Sequence, residues 1–203
     1  MVHLLNIKKL HFLHCGPISL QLKETEISGL SGASGSGKSR LLRALADLDD
    51  HSGDIILDDI NQQSIDAHLW RQKIVLLSAE TSWWFDTVGE HFSVYSESIL
   101  RKQLVLLGFS DDCLHWSVAR LSSGEKQRLG LLRLLQNQPD VLLLDEPTAN
   151  LDRNNTELFE KFVIDYLHTR SACAIWISHD HDQLQRVCQN KYVLENGVLV
   201  DVD

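Results

Sequence analysis

The run with the clearest chemical potential covers residues 32–39 and reads Gly-Ala-Ser-Gly-Ser-Gly-Lys-Ser. It matches the phosphate-binding pattern G-x-x-x-x-G-K-[ST], although a glycine-rich turn before a chance Lys-Ser pair is the alternative. Glycines let consecutive backbone N–H groups curl around a phosphate, and the N-terminus of a following helix adds positive potential. We predict a nucleotide site in which Lys38 reaches the β- and γ-phosphates and Ser39 ligates Mg²⁺. The predicted nucleotide-binding residues of this loop are Gly32, Ser34, Gly35, Ser36, Gly37, Lys38 and Ser39.

A second candidate segment is the apolar run at residues 141–144, which Asp145 and Glu146 follow directly. Four consecutive apolar residues are typical of a buried strand in a parallel sheet. At the end of such a strand, Asp145 could hold Mg²⁺ beside Ser39, and Glu146 could orient a water for attack on a γ-phosphate. The alternative interpretation is an acidic end on a core strand. The glycine-rich loop in the same chain favours the catalytic interpretation.

A third segment, residues 121–128, reads Leu-Ser-Ser-Gly-Glu-Lys-Gln-Arg and opens a predicted helix. Its small residues could direct donors at a phosphate. They could also form a helix N-cap, with Ser122 or Ser123 as the capping residue and Glu125 close behind. Both interpretations can hold together.

The elements that must position these residues alternate between strand and helix, which predicts a largely parallel α/β sheet. Residues 4–22 predict two antiparallel strands with a break at residues 15–17. A helix is expected to begin near Lys38. Between about residues 80 and 123 the strand-like runs give way to helical patterns, which predicts a small inserted helical subdomain within one domain covering residues 1–203.

Composition narrows the function classes. The chain has 203 residues, of which 43% are apolar and 23% charged, so it is not a disordered protein. The net charge of −9 argues against broad nucleic-acid binding, although a local loop can still bind phosphate. No apolar run approaches the roughly 18–20 residues of a membrane span, and we expect no signal peptide. The four scattered cysteines are typical of reduced thiols in a cytosolic protein.

The order and spacing of these motifs resemble the ATP-binding subunit of an ABC-type ATPase over about residues 4–200. In that family, residues 32–39 are the Walker A motif and residues 144–146 end Walker B. Residues 121–125 resemble the signature L-S-G-G-Q, residues 149–152 the D-loop, and residues 87–92 a T-V-x-E-N segment. His179 falls where the switch histidine lies. The resemblance implies a P-loop NTPase core of mostly parallel sheet with flanking helices, an antiparallel N-terminal β-subdomain and an inserted helical subdomain.

The resemblance also implies a mechanism. Two copies pack head to tail around two ATP–Mg²⁺ molecules, and Ser122 and Gly124 of one copy face the γ-phosphate bound by the other. Lys38, Glu146 and His179 are then the catalytic residues. Glu146 is the general base or water-positioning group, and His179 contacts the γ-phosphate and stabilises the transition state.

Three positions depart from the family pattern. Glu80 stands where the family has the Gln of its Q-loop; a carboxylate can still ligate Mg²⁺, so Glu80 joins Ser39 and Asp145 as a candidate metal ligand. Arg40 stands where a small Thr is usual, and it either reaches an α-phosphate or points to solvent. Ser123 replaces a signature glycine and could crowd the partner's nucleotide or donate to it.

Aromatic residues raise two further questions. The family stacks an aromatic ring on adenine, for which Phe12 is the candidate here, with His11 and His14 as rivals and a core position as the alternative. Residues 83–85 are Trp-Trp-Phe. They either form part of a protein interface, where transport subunits receive a helix of their membrane partner, or fill the core of the small subdomain.

The function expected from the sequence is ATP binding and hydrolysis in a subunit that drives transport through a separate membrane permease. A weaker likeness is to small bacterial ATPases of iron or metal export. The expected partners are the permease and, with ATP, a second copy of the chain, but no nucleic acid. The protein would be cytoplasmic, on the inner face of the cell membrane, and contact the membrane only through the permease. The alternatives are a soluble non-transport ABC ATPase and a weakly hydrolysing regulatory clamp.

Overall fold

The computed structural model describes residues 4–202. Its α-helices are α1 (Lys38–Leu45), α2 (Ala67–Lys73), α3 (Glu97–Leu106), α4 (Ser123–Leu134), α5 (Arg153–Arg170) and α6 (His181–Val187). Its strands are β1 (Leu5–Phe12), β2 (Cys15–Leu22), β3 (Ile27–Ser31), β4 (Ser52–Leu57), β5 (Ile60–Asn61), β6 (Ile74–Leu77), β7 (Val141–Asp145), β8 (Cys173–Ile177), β9 (Asn190–Glu195) and β10 (Val198–Asp201). None of these helices is long and apolar enough to cross a membrane.

Strands β2, β1, β4 and β5 form a four-stranded antiparallel sheet in that order, which confirms the predicted antiparallel N-terminal β-subdomain. Phe12 pairs with Cys15, so the turn between β1 and β2 is made by Leu13 and His14. The sequence predicted the break at residues 15–17 instead. Because β2 is at the edge of this sheet, Pro17 removes no hydrogen bond that the sheet needs, and the strand includes it.

The larger sheet has six strands in the order β10-β9-β3-β8-β7-β6. All are parallel except β10, which confirms the predicted mostly parallel sheet. In the register of neighbouring strands, Leu30 faces Ile177, Ile177 faces Asp145, and Leu144 faces Leu77. The carboxyl ends of β3, β8, β7 and β6 therefore meet at one edge of the sheet.

Both faces of this sheet are covered, which explains the continuous apolar run of β7. Leu142 and Leu144 belong to an apolar cluster on one face, and Val141 and Leu143 belong to a second cluster that includes residues of α1 and β1. A strand buried on both sides needs no polar alternation. All four cysteines of the chain are buried, and none is paired with another.

Between β6 and α4 the chain forms α3 and three short 3₁₀ helices, at Gly89–His91, Asp111–His115 and Val118–Arg120. The buried apolar residues of this segment, including Leu100 and Leu104, pack in the same cluster as Leu142 and Leu144 of the sheet. That the segment behaves as a separate subdomain stays a prediction.

Candidate functional site

The predicted phosphate-binding, hydrolytic and metal-ligating residues lie on segments that leave the carboxyl ends of four neighbouring parallel strands, whereas Phe12 lies on β1 and Ser122 and Gly124 lie at the start of α4. The phosphate loop (residues 32–39) follows β3, and His179 follows β8. Asp145 is the last residue of β7, Glu146 is the next residue in sequence, and Glu80 follows β6. Ligands of open α/β sheets bind at this edge, where the strands end and the loops leave a crevice. Residues far apart in sequence are therefore brought to one edge of the sheet.

The phosphate loop has the backbone that an anion site needs. Gly37 is the N-cap of α1, no side chain caps this helix, and its first turn contains no acidic residue, so the field of its N-terminus is not neutralised locally. Gly32 has a φ of 140°, and a Cβ there would lie 2.6 Å from the carbonyl oxygen of Leu194, which only glycine avoids. The hydroxyl of Ser36 is buried and has no hydrogen-bond partner. An unpaired buried hydroxyl in such a loop fits a phosphate oxygen.

Lys38 is 7% exposed, and its ammonium group lies within the phosphate loop. Its Nζ donates hydrogen bonds to the carbonyl oxygens of Gly32, at 2.8 Å, and Ala33, at 3.1 Å. Two of its three donor positions are occupied by the loop itself. The next residue, Ser39, is exposed in the first turn of α1.

Glu146 and His179 face each other. The backbone N–H of Glu146 donates to the carbonyl of Ile177 in the neighbouring strand, and Glu146 has a left-handed φ of 48°. Its Oε1 lies 3.4 Å from Nε2 of His179, and that oxygen is buried without a hydrogen bond. Burial raises the pKa of the Glu146 carboxyl group, and the charges of His179 and Lys38 partly oppose that rise. A carboxylate with one unpaired oxygen can hold a water molecule and accept its proton.

The candidate metal ligands lie on three different segments. Asp145 is half-buried at the end of β7, whereas Ser39 and Glu80 are exposed. Glu80 comes three residues after Leu77, which is in register with Leu144 of the adjacent strand. Among residues 4–202, no group of three or more His, Cys, Asp or Glu side chains could by itself hold a metal ion.

The structure corrects the prediction that Phe12 stacks on adenine. Phe12 is 3% exposed, and its ring lies 3.6 Å from where a Cβ would sit on Gly37. A ring packed under the phosphate loop presents no free face to a base. The exposed side chains at this end of β1 are His11, Leu13 and His14.

Arg40 lies at the surface with its side chain 55% exposed, which agrees with the predicted orientation toward solvent. Its Nη1 donates to the Asp49 carboxylate at 2.9 Å, and Arg43 binds the same carboxylate through two nitrogens. The hydrogen bonds from Arg43 and then Arg40 lower the pKa of Asp49 to about 2.

The segment before α4 forms the predicted N-cap. The Ser122 hydroxyl accepts from the backbone N–H of Glu125 at 3.2 Å, and the Glu125 carboxylate accepts from the backbone N–H of Ser122 at 2.8 Å. Ser122 is exposed. Gly124 is buried, and a Cβ there would lie 2.8 Å from the carbonyl oxygen of Asn150. Only glycine lets this turn approach residues 149–152 so closely, and a role toward a partner's nucleotide stays a prediction.

Sequence reasoning missed a buried link between the Glu146 and His179 segments. Gln183 is 1% exposed, and its side chain exchanges hydrogen bonds with the Thr148 hydroxyl at 2.9 and 3.1 Å. It also donates to the buried carboxylate of Glu160 at 2.7 Å. Thr148 lies two residues after Glu146, and Gln183 lies four after His179, so this amide ties the two segments together. A glutamine in a polar helix has no local pattern that reveals such a link.

The aromatic run at residues 83–85 combines the two predicted alternatives. Trp83 packs on the core, whereas Trp84 is 64% and Phe85 47% exposed. The Nε2 of buried His91 accepts hydrogen bonds from the backbone N–H groups of Trp84 and Phe85. The guanidinium of Arg133 lies 4.6 and 4.5 Å from the ring centres of Trp83 and Trp84. The exposed rings are thus held in fixed positions by His91 and Arg133.

A parallel sheet with a glycine-rich loop after one strand, a lysine within that loop and paired acidic residues after a neighbouring strand define a P-loop nucleotide-binding protein. Comparison with known proteins narrows this class. Residues 15–149 match the ABC transporter family, and the chain belongs to that family, which confirms the resemblance.

The relatives of this chain include ATP-binding proteins of transport systems. The chain is 30% identical over 177 residues to the probable iron export ATP-binding protein FetA of Escherichia coli, covering 82% of this chain and 78% of FetA. It is 33% identical over 195 residues to Protein STAR1 of Oryza sativa, covering 91% of this chain but only 56% of that protein. The chain thus spans about half the length of the rice relative.

Among solved structures, the chain is similar to the ATP-binding cassette MJ0796, solved as a dimer in a post-hydrolysis state with ADP and phosphate bound. The TM-score is 0.83 and the identity 21%, with 98% of each chain covered. This similarity confirms the P-loop fold of the whole described chain.

Proposed function

We propose that this chain binds ATP and hydrolyses it as the energy-supplying subunit of an ABC transporter whose permease is a separate membrane protein. The observation that carries the proposal is the Glu146–His179 pair at the same sheet edge as the phosphate loop. A buried carboxylate with an unpaired oxygen has no structural use there, whereas hydrolysis of a γ-phosphate needs such a group.

The binding part of the proposal rests on the phosphate loop and three oxygen ligands. Backbone N–H groups of residues 32–39 and the Lys38 ammonium bind the phosphates, with the unpaired Ser36 hydroxyl as a further donor. Ser39, Asp145 and Glu80 are the proposed Mg²⁺ ligands, and hydroxyl and carboxylate oxygens suit that ion. When bound, Mg²⁺ neutralises charge on the phosphate oxygens.

In the hydrolytic step, Glu146 holds a water molecule in line with the γ-phosphate and takes a proton from it. The water oxygen bonds to the γ-phosphorus, the bond from that phosphorus to the bridging oxygen breaks, and ADP and phosphate leave. His179 is 61% exposed and lies 3.4 Å from Glu146, so its imidazole can contact both the carboxylate and a γ-phosphate beside it. Lys38 stabilises the charge that develops on the transferred group.

The proposed assembly is a head-to-tail dimer that forms with ATP. Exposed Ser122 and neighbouring Gly124 of one copy would complete the site of the other, at the N-terminus of α4. The similar cassette MJ0796 was solved as a dimer, which supports dimerisation of this chain. We propose no nucleic-acid partner, because the net charge of −9 opposes broad binding to the phosphate backbone.

The proposed permease contact is the exposed aromatic pair Trp84 and Phe85. Aromatic side chains in fixed positions are typical anchors of protein interfaces. Through this contact the chain would lie on the cytoplasmic face of the cell membrane without entering it. FetA is named for iron export, which supports a transport role for this chain. We propose that the permease determines which substrate is transported.

Purification of the tagged chain from detergent-solubilised native membranes tests the transport role. We expect a stoichiometric polytopic membrane protein, identified by mass spectrometry, to co-purify with the wild type. Trp84→Ala should reduce its recovery severalfold, because the hot-spot contribution of one interface tryptophan is about 2 kcal/mol or more. The matched control is Val198→Ser, which changes an exposed residue of β10 at the opposite edge of the sheet and should leave recovery unchanged. Recovery without any such membrane protein would favour the soluble ATPase or the regulatory clamp.

Glu80→Gln tests the proposed metal ligand. Replacing the carboxylate with a neutral amide oxygen should raise the Mg²⁺ concentration at half-maximal ATP hydrolysis, since Mg²⁺ binds a charged oxygen more strongly. The measurement is a Mg²⁺ titration of hydrolysis at saturating ATP. Glu97→Gln, at an exposed position of α3, is the control for loss of one surface charge. Superimposable titrations of wild type and Glu80→Gln would remove Glu80 from the metal site.

A further inference from the structure

The segments that carry Glu146 and His179 are joined by their backbones only where they leave the sheet. The last backbone hydrogen bond between them runs from the Glu146 N–H to the Ile177 carbonyl, at 3.1 Å. Within residues 4–202, no backbone-to-backbone hydrogen bond connects residues 147–152 with residues 178–183. The spacing of 3.4 Å between the Glu146 carboxylate and the His179 imidazole therefore needs support from side chains behind the pair.

Gln183, in α6, contacts both segments from behind. Its side-chain Nε2 and Oε1 lie 2.9 and 3.1 Å from the hydroxyl of Thr148, which follows Glu146 by two residues. Its backbone N–H donates to the carboxylate of Asp180 at 3.1 Å, and Asp180 directly follows His179. One buried residue thus holds the chain just after Glu146 with its side chain and the chain just after His179 with its backbone.

The amide of Gln183 is fixed in one orientation by two groups of opposite character. Its Nε2 donates at 2.7 Å to Oε1 of Glu160, and an ionised carboxylate only accepts hydrogen bonds. Its Oε1 accepts at 3.3 Å from the indole N–H of Trp176, which only donates. Glu160 and Trp176 are buried, so a flipped amide would leave both partners unsatisfied. The site therefore needs a side chain that donates and accepts at once.

Glu160 is itself held as an anion. The guanidinium of Arg186 donates to both of its oxygens, from Nε at 2.9 Å and from Nη2 at 2.7 Å. The hydrogen bond to Glu160 raises the pKa of Arg186, which keeps the guanidinium charged. Glu160 has 7% of its side chain exposed, whereas that of Arg186 is 50% exposed. The pair is thus a charged anchor that fixes the Gln183 amide from the side opposite Thr148.

We propose that Gln183 is a positioning residue for ATP hydrolysis. Its amide, oriented by Glu160 and Trp176, holds Thr148 against α6 and thereby keeps Glu146 and His179 at the spacing that the hydrolytic step needs. Gln183 is 1% exposed and acts only through these neighbours, without touching the nucleotide. The inference rests on the proposed function, since it requires Glu146 to act on a water molecule beside ATP.

Two variants remove the link from its two ends. Gln183→Met keeps a long, uncharged side chain without the hydrogen bonds, and Thr148→Val removes the hydroxyl. Each should lower the turnover number kcat by about ten- to a hundredfold, the effect of misplacing a reacting group by up to about an ångström. The dissociation constant for ATP, measured by calorimetry, should stay within about twofold, because the lost contact acts on the hydrolytic step and not on binding. The double variant should lose no more activity than either single one, since all three lack the same link.

Gln183→Glu separates positioning from folding. With one proton shared between the introduced carboxyl group and Glu160, the new side chain still donates to Glu160 and accepts from Trp176. When both groups ionise, they repel each other, so the pKa of the introduced group should lie well above that of an ordinary glutamate. The ratio of the variant's kcat to that of the wild type should therefore approach one at low pH and fall as the pH rises. A purely structural role would change the thermal midpoint with pH but not the kcat of the folded chain, so both are measured at each pH.

Gln185→Met is the matched control, because it makes the same substitution at an exposed position of the same helix. It should change neither kcat nor the affinity for ATP. If Gln183→Met does not fold, Thr148→Val and Gln183→Glu still decide the question. A kcat within about twofold of the wild type in the folded link variants, or a constant ratio for Gln183→Glu across the pH range, would overturn the inference while wild-type hydrolysis upheld the proposed function. Wild-type protein that binds ATP without hydrolysing it would instead overturn the proposed function, and this inference with it.

Discussion

Glu146→Gln is expected to lower steady-state ATP hydrolysis by about 10²-fold or more while ATP binding persists. The amide keeps the shape of the side chain in a position that is only 21% exposed, but it cannot take a proton from water. The nucleotide is then bound and not turned over, so the ATP-dependent dimer should accumulate. Phosphate release and size-exclusion chromatography with ATP measure the two effects.

The pH dependence of hydrolysis provides an independent check on Glu146. Burial raises the pKa of this carboxyl group, and a general base acts only when ionised. As the pH falls, the wild-type rate should therefore decline at a higher pH than an ordinary glutamate, with a pKa of about 4.3, would cause. His179→Ala removes a neighbour that lowers this pKa and should move the decline to still higher pH.

The control for Glu146→Gln is Glu97→Gln, which removes a carboxylate that is 74% exposed on α3. Its hydrolysis rate and its dimerisation should match those of the wild type. If Glu146→Gln also hydrolysed ATP at the wild-type rate, Glu146 would not be the base, and the unpaired oxygen at this site would need another role.

The segments of the candidate site whose placement could be predicted from the sequence are those whose residues are consecutive. The phosphate loop and the segment of Asp145 and Glu146 each depend on a strand and the residues directly after it. The capping box of Ser122 and Glu125 is likewise local, because its two partners are three residues apart. Such patterns can be recognised without knowing the rest of the fold.

The orientation of Phe12 was predicted wrongly because it depends on the turn position. Side chains of a strand alternate between its faces, so the exact point at which β1 turns decides which residue is exposed. The turn comes at Leu13 and His14, before the residues at which glycine and proline indicated a break. Phe12 is thereby the last inward residue of β1, and Leu13 is exposed at the tip.

Contacts between distant residues could not be predicted from local patterns. The approach of Glu146 to His179 follows from the register of β7 with β8, where Asp145 faces Ile177. Arg40 finds Asp49 only because the chain folds back after α1. No spacing rule specifies these pairings, since the sheet order and the loop path decide them.

Lys38→Ala is expected to weaken ATP binding by about a hundredfold or more and to abolish measurable hydrolysis. The ammonium group would make a charge-assisted hydrogen bond to each of two phosphates. Each bond contributes about 1.5–3 kcal/mol, and because these free energies add, their effects on the affinity multiply. The measurement is the ATP-dependent rise of the thermal midpoint, because a ligand L that binds only the folded chain stabilises it by RT ln(1 + [L]/Kd).

Lys38 also has a structural contact, so its two roles must be separated. Without nucleotide its Nζ donates to the carbonyls of Gly32 and Ala33, and the alanine variant leaves these oxygens without that donor. Ala33 is exposed and Gly32 partly so, and water can replace the lost hydrogen bonds. The thermal midpoint without nucleotide should therefore change little, whereas the shift caused by ATP should disappear. Lys102→Ala, at an exposed position of α3, should retain the full shift. A full ATP-dependent shift in Lys38→Ala would mean that the backbone of residues 32–39 binds the phosphates without this charge.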